Sequence, residues 1–429
     1  MNKISTKRLG DILNFKRGYD LPLSSREDGA IPVISSAGIS GCHSEFKAEG
    51  EGVITGRYGT LGEVYYVEGK YWPHNTTLYV TDFKSNYPKY VYYLLKCLGN
   101  LKTSDKSAVP GINRNDLHEV RVPYIKGSRQ IEIANILDNL DAKIEVNNKI
   151  NAELEAMAKL IYDYWFVQFD FPNEDGKPYK SSGGKMVYNK ELKREIPEGW
   201  EVKTINESVE KIIDHRGKTP KKLGGDWSNN KDDIIALSAK IVKNGYLIKL
   251  EDANRVSKEL FDKWMPEKLR DGDVLLTSEA PAGEMFFILG KTDYCMSQRL
   301  FALRANPKVI LPSLLYYEIA KGNAHFQIQG SLSGSTVFGI RQDVLRTINV
   351  LVPNTKVQTQ FDDKVLPILK KIKILVQQNQ KLSELRDWLL PMLMNGQVTV
   401  ANEELGITNA ELGNDLGMVA EDNGKYGEV

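Results

Sequence analysis

Arg129-Gln130-Ile131-Glu132-Ile133-Ala134-Asn135-Ile136-Leu137-Asp138-Asn139-Leu140-Asp141 opens the stretch that decides the fold. From Ile133 the seam runs through Leu137, Leu140, Ile144, Asn147, Asn151, Leu154, Ala158, Ile161 and Trp165, in alternating steps of four and three. That spacing keeps one face of an α-helix toward a partner helix for more than four heptads, the pattern of a coiled coil. A second series, Phe361, Val365, Ile368, Ile372, Leu375, Asn379, Leu382, Arg386 and Leu389, repeats it at a constant offset of 228. Asparagine inside such a seam costs stability and fixes register. Asn147, Asn151 and Asn379 are therefore read as register or partner-binding residues. Each helix should run for roughly 35–40 residues, or about 50–60 Å at about 1.5 Å per residue.

The repeat extends outward from the helices. Val109-Pro110-Gly111-Ile112 aligns with Val337-Phe338-Gly339-Ile340, and Gln130 with Gln358, at the same offset. Further upstream the offset becomes 221: Gly62-Glu63-Val64-Tyr65-Tyr66-Val67 matches Gly283-Glu284-Met285-Phe286-Phe287-Ile288. Arg17-Gly18 matches Arg216-Gly217. The order is thus globular part, long helix, globular part, long helix. The globular parts are strand-rich, with β-branched and aromatic runs such as Gly52–Thr55, Val64–Val67 and Thr77–Val80 between glycines. Short helices are expected at Lys89–Leu98 and Pro312–Lys321. The expected class is α+β: two similar strand-rich domains joined by two long helices that form an antiparallel coiled coil, with a pseudo-two-fold internal repeat. The expected boundaries are 1–125, first domain; 126–171, first helix; 172–196, a Pro/Gly/Ser linker; 197–355, second domain; 356–397, second helix; and 398–429, an acidic tail with a short helix near Asn402–Leu405.

The 429 residues are 41% hydrophobic and 26% charged, which suits a folded globular chain rather than a disordered one. The three cysteines lie far apart, so no disulfide framework is expected. No run approaches the length of a membrane span, and the N-terminal residues lack the apolar core of a signal peptide. The expectation is a cytoplasmic protein. The net charge is +1, but the last 32 residues hold seven acidic side chains and one basic one. The remaining chain is mildly basic, which is compatible with a nucleic-acid partner.

Catalytic patterns fail one by one. Gly217-Lys218-Thr219 resembles the end of a phosphate-binding loop, yet the position that needs the first glycine is Ile212. Glu68-Gly69-Lys70 has no Pro-Asp dipeptide to complete a nuclease metal site. No Asn-Pro-Pro-Tyr-like loop for base methylation is present, and the five histidines do not cluster with metal-ligand spacing. No catalytic residue, metal ligand or bound cofactor is expected.

Recognition chemistry remains. Arg57, Tyr58 and Thr60 lie in a glycine-flanked turn, where arginine can fork onto guanine or phosphate; a plain hairpin turn is the alternative. His74 and Asn75 precede a strand, where a capped turn competes with a base contact. Gln298 and Arg299 occupy the corresponding place in the second half. Ser333 and Ser335 lie in a small polar loop whose first-half counterpart carries Lys102 and Lys106. Arg216, Lys218 and Lys221 form a basic run suited to phosphates, or simply a solvated face.

The stretch 129–151, its continuation to Tyr164-Trp165-Phe166-Val167-Gln168-Phe169-Asp170-Phe171-Pro172, and the blocks Ser182-Gly183-Gly184-Lys185, Ile196-Pro197-Glu198-Gly199-Trp200 and Gly56-Arg57-Tyr58-Gly59 resemble type I restriction-modification specificity subunits. The resemblance covers residues 1 to about 397. It implies two target-recognition domains, each reading one half of a bipartite site in double-stranded DNA, and two helices that space them and bind methyltransferase subunits. It places methylation, cleavage and translocation on partner modification and restriction subunits, which hold S-adenosylmethionine, ATP and magnesium. A fused restriction-methylation enzyme or a coiled-coil scaffold without DNA binding are the competing readings.

Overall fold

A computed structural model describes residues 5–57, 62–98, 113–215, 217–290, 292–297, 299–332 and 339–398. The chain forms two compact units, Met1–Glu145 with Asn379–Val429, and Val146–Gln378. Both long helices contribute to both units.

Each unit is built on a four-stranded antiparallel sheet with the same strand order. In the first unit the order is Asn14–Arg17, Thr77–Asp82, Gly52–Gly56, Val64–Val67. In the second it is Val209–Asp214, Leu300–Ala305, Val274–Thr277, Met285–Phe287. The strands Gly52–Gly56 and Val274–Thr277 are buried along their whole length, which is why Val53-Ile54 and Val274-Leu275-Leu276 put apolar side chains on both faces instead of alternating with polar ones. Beside each sheet lies a parallel pair: Ile31–Ser35 with Lys70–Pro73, and Ile234–Leu237 with Cys295–Met296. A two-stranded ribbon joins the beginning of each repeat to its end, Ser5–Arg8 with Arg121–Tyr124 and Glu201–Thr204 with Asn349–Val352. The short helices expected from sequence are Pro88–Cys97 and Pro312–Ala320, each with proline in its first turn.

The long helices span Arg129–Tyr162, continued by a π-helical turn at Asp163–Val167, and Thr355–Met394. In the first unit Ile133, Ala134 and Leu137 share a core with Leu390, Leu393 and Met394. There the Asp141 carboxylate accepts from Arg386 Nη1 at 2.7 Å. In the second unit Ala158, Tyr162, Trp165 and Phe166 pack with Phe361, Val365 and Ile368. Within each unit the beginning of one helix meets the end of the other, so the pair is antiparallel. Seam residues Asn147 and Asn151 are buried and Asn379 is half-buried.

One buried glutamine docks each long helix onto its own sheet domain. Gln130 Oε1 accepts from Tyr87 N–H at 2.8 Å, and its Nε2 donates to Ile125 O and Asn86 Oδ1, both at 2.8 Å. Gln358 Oε1 accepts from Leu311 N–H at 2.8 Å, and its Nε2 donates to Val309 O at 3.0 Å and Pro353 O at 2.8 Å. Both acceptors satisfy the backbone N–H just before a short helix, a group with no partner inside that helix.

Residues 172–196 differ from the expected linker: they are folded. Met186–Asn189 and Arg194–Pro197 form a hairpin. Phe171 stacks on Tyr179 at 4.6 Å and on Trp200 at 4.9 Å between ring centroids. The Asp170 carboxylate accepts from Ser181 N–H at 2.8 Å and Ser181 Oγ–H at 2.6 Å. Proline, glycine and serine shape the turns here, but the aromatic side chains supply the apolar area that holds them. The residues after Val398, including Asn402–Leu405, lie outside the described residues. Among the described residues no helix is long and apolar enough to cross a membrane.

Candidate nucleic-acid interface

In both units some of the candidate residues, His74 and Asn75 in the first and Arg299 in the second, follow the carboxyl end of a strand of the parallel pair, a usual place for ligand sites in sheets with parallel strands. In the first unit the loops follow Ser35 and Pro73, next to the turn that follows the central strand at Gly56. Arg57 N–H donates to Thr76 O at 2.8 Å, which ties the two loops together. In the second unit Ser278 N–H donates to Arg299 O at 2.9 Å at the same place in the topology. The duplication therefore preserves the frame while the side chains on it differ.

Arg57, Arg17, Arg114, Asn113 and Asn115 line a cavity of about 200 Å³ in the first unit. Three guanidinium groups line one small cavity, a grouping of donors suited to phosphate or guanine. No sequence pattern marks Arg17 or Arg114 as a contact by itself. The repeated Arg17-Gly18 pair was a usable signal. Gly18 sits so close to the chain at His74 that a Cβ there would come within 2.0 Å of His74 O, so glycine is required to bring Arg17 and the 74–76 loop together.

His74 and Asn75 belong to this loop but are engaged within it. His74 Nδ1 lies 3.1 Å from Thr76 Oγ1, Thr77 Oγ donates to His74 O at 2.7 Å, and the Asn75 amide donates to the Asp20 carboxylate. Burial, with Arg26 nearby, holds the His74 imidazole below its ordinary value. The capped-turn reading describes these two residues, and a base contact from Asn75 requires release from Asp20.

In the second unit Lys218, Lys221, Lys240 and Arg299 surround a cleft of about 710 Å³, opposed by one acid, Asp226. Arg299 is left-handed, with φ of 71°, and its Nε meets Glu279 Oε1 at 2.9 Å. A non-glycine residue kept in that region is held by its surroundings. Lys218 Nζ donates to Trp264 O at 2.9 Å, so its ammonium is anchored to the cleft wall. His215, next to this run, is buried, and desolvation first, then Lys218, pushes its imidazole down to about 4. Tyr58, Thr60, Lys102, Lys106, Arg216, Gln298, Ser333 and Ser335 lie outside the described residues. Among the described residues no group of three His, Cys, Asp or Glu side chains is placed to hold a metal ion.

The model of the type I restriction modification DNA specificity domain matches residues 1–156 and again 197–384. The chain belongs to this type I DNA-specificity family. Its two matches coincide with the two repeats and take in most of each long helix. The chain is 25% identical over 337 residues to the type I restriction enzyme MjaIX specificity subunit of Methanocaldococcus jannaschii, covering 74% of this chain and 70% of that one. It is 23% identical over 325 residues to the HindI specificity subunit of Haemophilus influenzae, covering 63% and 67%. The fold resembles that of the S subunit of a type I restriction-modification system from M. genitalium, with a TM-score of 0.58 at 14% identity over 92% of this chain and 97% of the other. The specificity-family fold therefore accounts for both sheet domains and both helices.

Proposed function

We propose that this chain is the DNA-reading subunit of a type I restriction-modification complex, that its two repeats each read one half of a bipartite target, and that partner subunits carry out methylation and cleavage. The observation that carries the reading is a repeated frame with different side chains: the same backbone hydrogen bond ties the loop after the central strand in both units, while an arginine cluster lies beside it in one unit and a lysine-rich cleft in the other. Different side chains on one frame are what two different half-sites require.

Partner docking is assigned to the outer faces of the long helices. Val146, Met157 and Leu160 are exposed apolar residues of the first helix, and Ile374, Leu385 and Trp388 are their exposed counterparts at the offset of 228 in the second. A repeated exposed apolar stripe supports an interaction surface. S-adenosylmethionine, ATP and magnesium are assigned to the partners, and the assembly to the cytoplasm.

The test is reconstitution. The chain with a methyltransferase subunit should bind duplex DNA with an affinity that falls steeply with salt, and methyl transfer should appear only when both are present. Methyl transfer by this chain alone, or binding indifferent to both salt and sequence, overturns the reading.

A further inference from the structure

We propose that the cleft of the Val146–Gln378 unit receives a single nucleotide swung out of the duplex, and that Trp227 is the platform on which its base stacks. The inference deepens the DNA reading above and rests on it. A groove of B-DNA is read by something that protrudes from the protein, such as a helix or a ribbon. A concave site receives what protrudes from the DNA, and an unstacked nucleotide is the unit of that kind.

The cleft has the chemistry such a nucleotide needs. Its volume of about 710 Å³ lies in the range of small-molecule sites. Trp227 is 39% exposed and packs on the buried Trp264 with ring centroids 5.9 Å apart. Its indole is thus fixed in place while part of its surface stays open, as a stacking platform must be. Ser238 and Ser297 follow the carboxyl ends of the two parallel strands and bring hydroxyl groups that can donate to or accept from a base edge. Lys221 and Lys240 supply positive charge for the flanking phosphates.

The first unit is built otherwise at the same place. There Asn75 is bonded to Asp20, Trp72 Nε1 donates to Tyr19 O at 3.4 Å, and the Tyr19 and Trp72 rings pack edge to face at 6.3 Å. A position unpaired by such a cleft is therefore expected only in the half-site read by the second unit.

A protein that unpairs a base binds more tightly when the pairing is already broken. The experiment uses the chain with its methyltransferase subunit and no methyl donor, on its own methylated motif. An abasic site is placed opposite each base of the half-site read by residues 197–355, one position at a time. The expected result is one position, other than the methylated base, at which the abasic partner tightens binding on the order of tenfold. Trp227→Ala should abolish that gain and Trp227→Phe should retain it. If the motif is bound specifically but no such position tightens, or the gain persists in Trp227→Ala, the nucleotide pocket is wrong. If the wild-type complex shows no preference for any motif, the DNA-reading function itself is wrong.

Discussion

Arg57 is the residue on which the proposed recognition site of the first unit turns. Its backbone is fixed by Thr76, and its side chain shares a small cavity with Arg17 and Arg114. Arg57→Ala should weaken DNA binding by about 1–3 kcal/mol and relax one half-site only, as loss of a bidentate base contact does; methylated-motif sequencing and a binding titration read this directly. Unchanged motif and affinity would reduce Arg57 to a turn residue. His215 makes a second prediction. Its folded value is depressed to about 4 by burial, against about 6.5 in an unfolded chain. Below about pH 6.5 the unfolded state takes up a proton that the folded state refuses, so stability is complete above that value and declines as pH falls toward about 4. His215→Gln should flatten the decline by at most one proton, about 1.4 kcal/mol per pH unit. His74 and His118 are lowered as well, so part of the slope should remain. An unchanged pH profile in denaturant melts would contradict the buried neutral imidazole.

Among the elements, the long helices were legible because their seam needs only local spacing, and the central strands because β-branched runs mark them. The docking glutamines were visible only as an aligned pair, Gln130 and Gln358. Their partners are backbone groups such as Tyr87 N–H and Leu311 N–H, some forty residues away, and no local pattern reports such a bond. Replacing Gln130 with leucine removes the partner of the Tyr87 N–H and of the Ile125 carbonyl, and replacing Gln358 removes the partner of the Leu311 N–H and of the Val309 and Pro353 carbonyls. Each unsatisfied group costs about 1–3 kcal/mol, so Gln130→Leu and Gln358→Leu should each destabilise the chain by about 2–4 kcal/mol. The two share no hydrogen-bond partner, so the double variant should show nearly the sum in chemical denaturation. A double variant no worse than either single one would mean that they act through a common contact. The cleft around Trp227 and Lys240 escaped the sequence for a different reason. Between the parallel strand and the central strand the second unit inserts residues 238–273, where the first has only 36–51. Lys240 and the Trp264 wall lie in that longer stretch, for which the repeat offers no counterpart.

For the molecule as a whole, duplication makes independence of the two readers the natural expectation, and the connections show where it can be tested. Residues 1–125 hold both strands of the closing ribbon, since Ser5–Arg8 pairs with Arg121–Tyr124. A replacement of that segment by a relative's first domain therefore leaves no strand orphaned. The graft must still meet Gln130, which needs the Tyr87 N–H, the Asn86 amide oxygen and the Ile125 carbonyl in place. It must also accept Leu390, Leu393 and Met394 from the end of the second long helix. A donor that keeps an Asn-x-Pro start to the short helix and apolar residues at these contacts should fold. With those conditions met, the methylated motif should change in one half and keep the other half unaltered. The second unit's cleft is built from residues 218–299, none of which the graft replaces. A change in both halves would mean that the frame shared by the two repeats transmits the choice of base from one unit to the other, and independent readout would have to be abandoned.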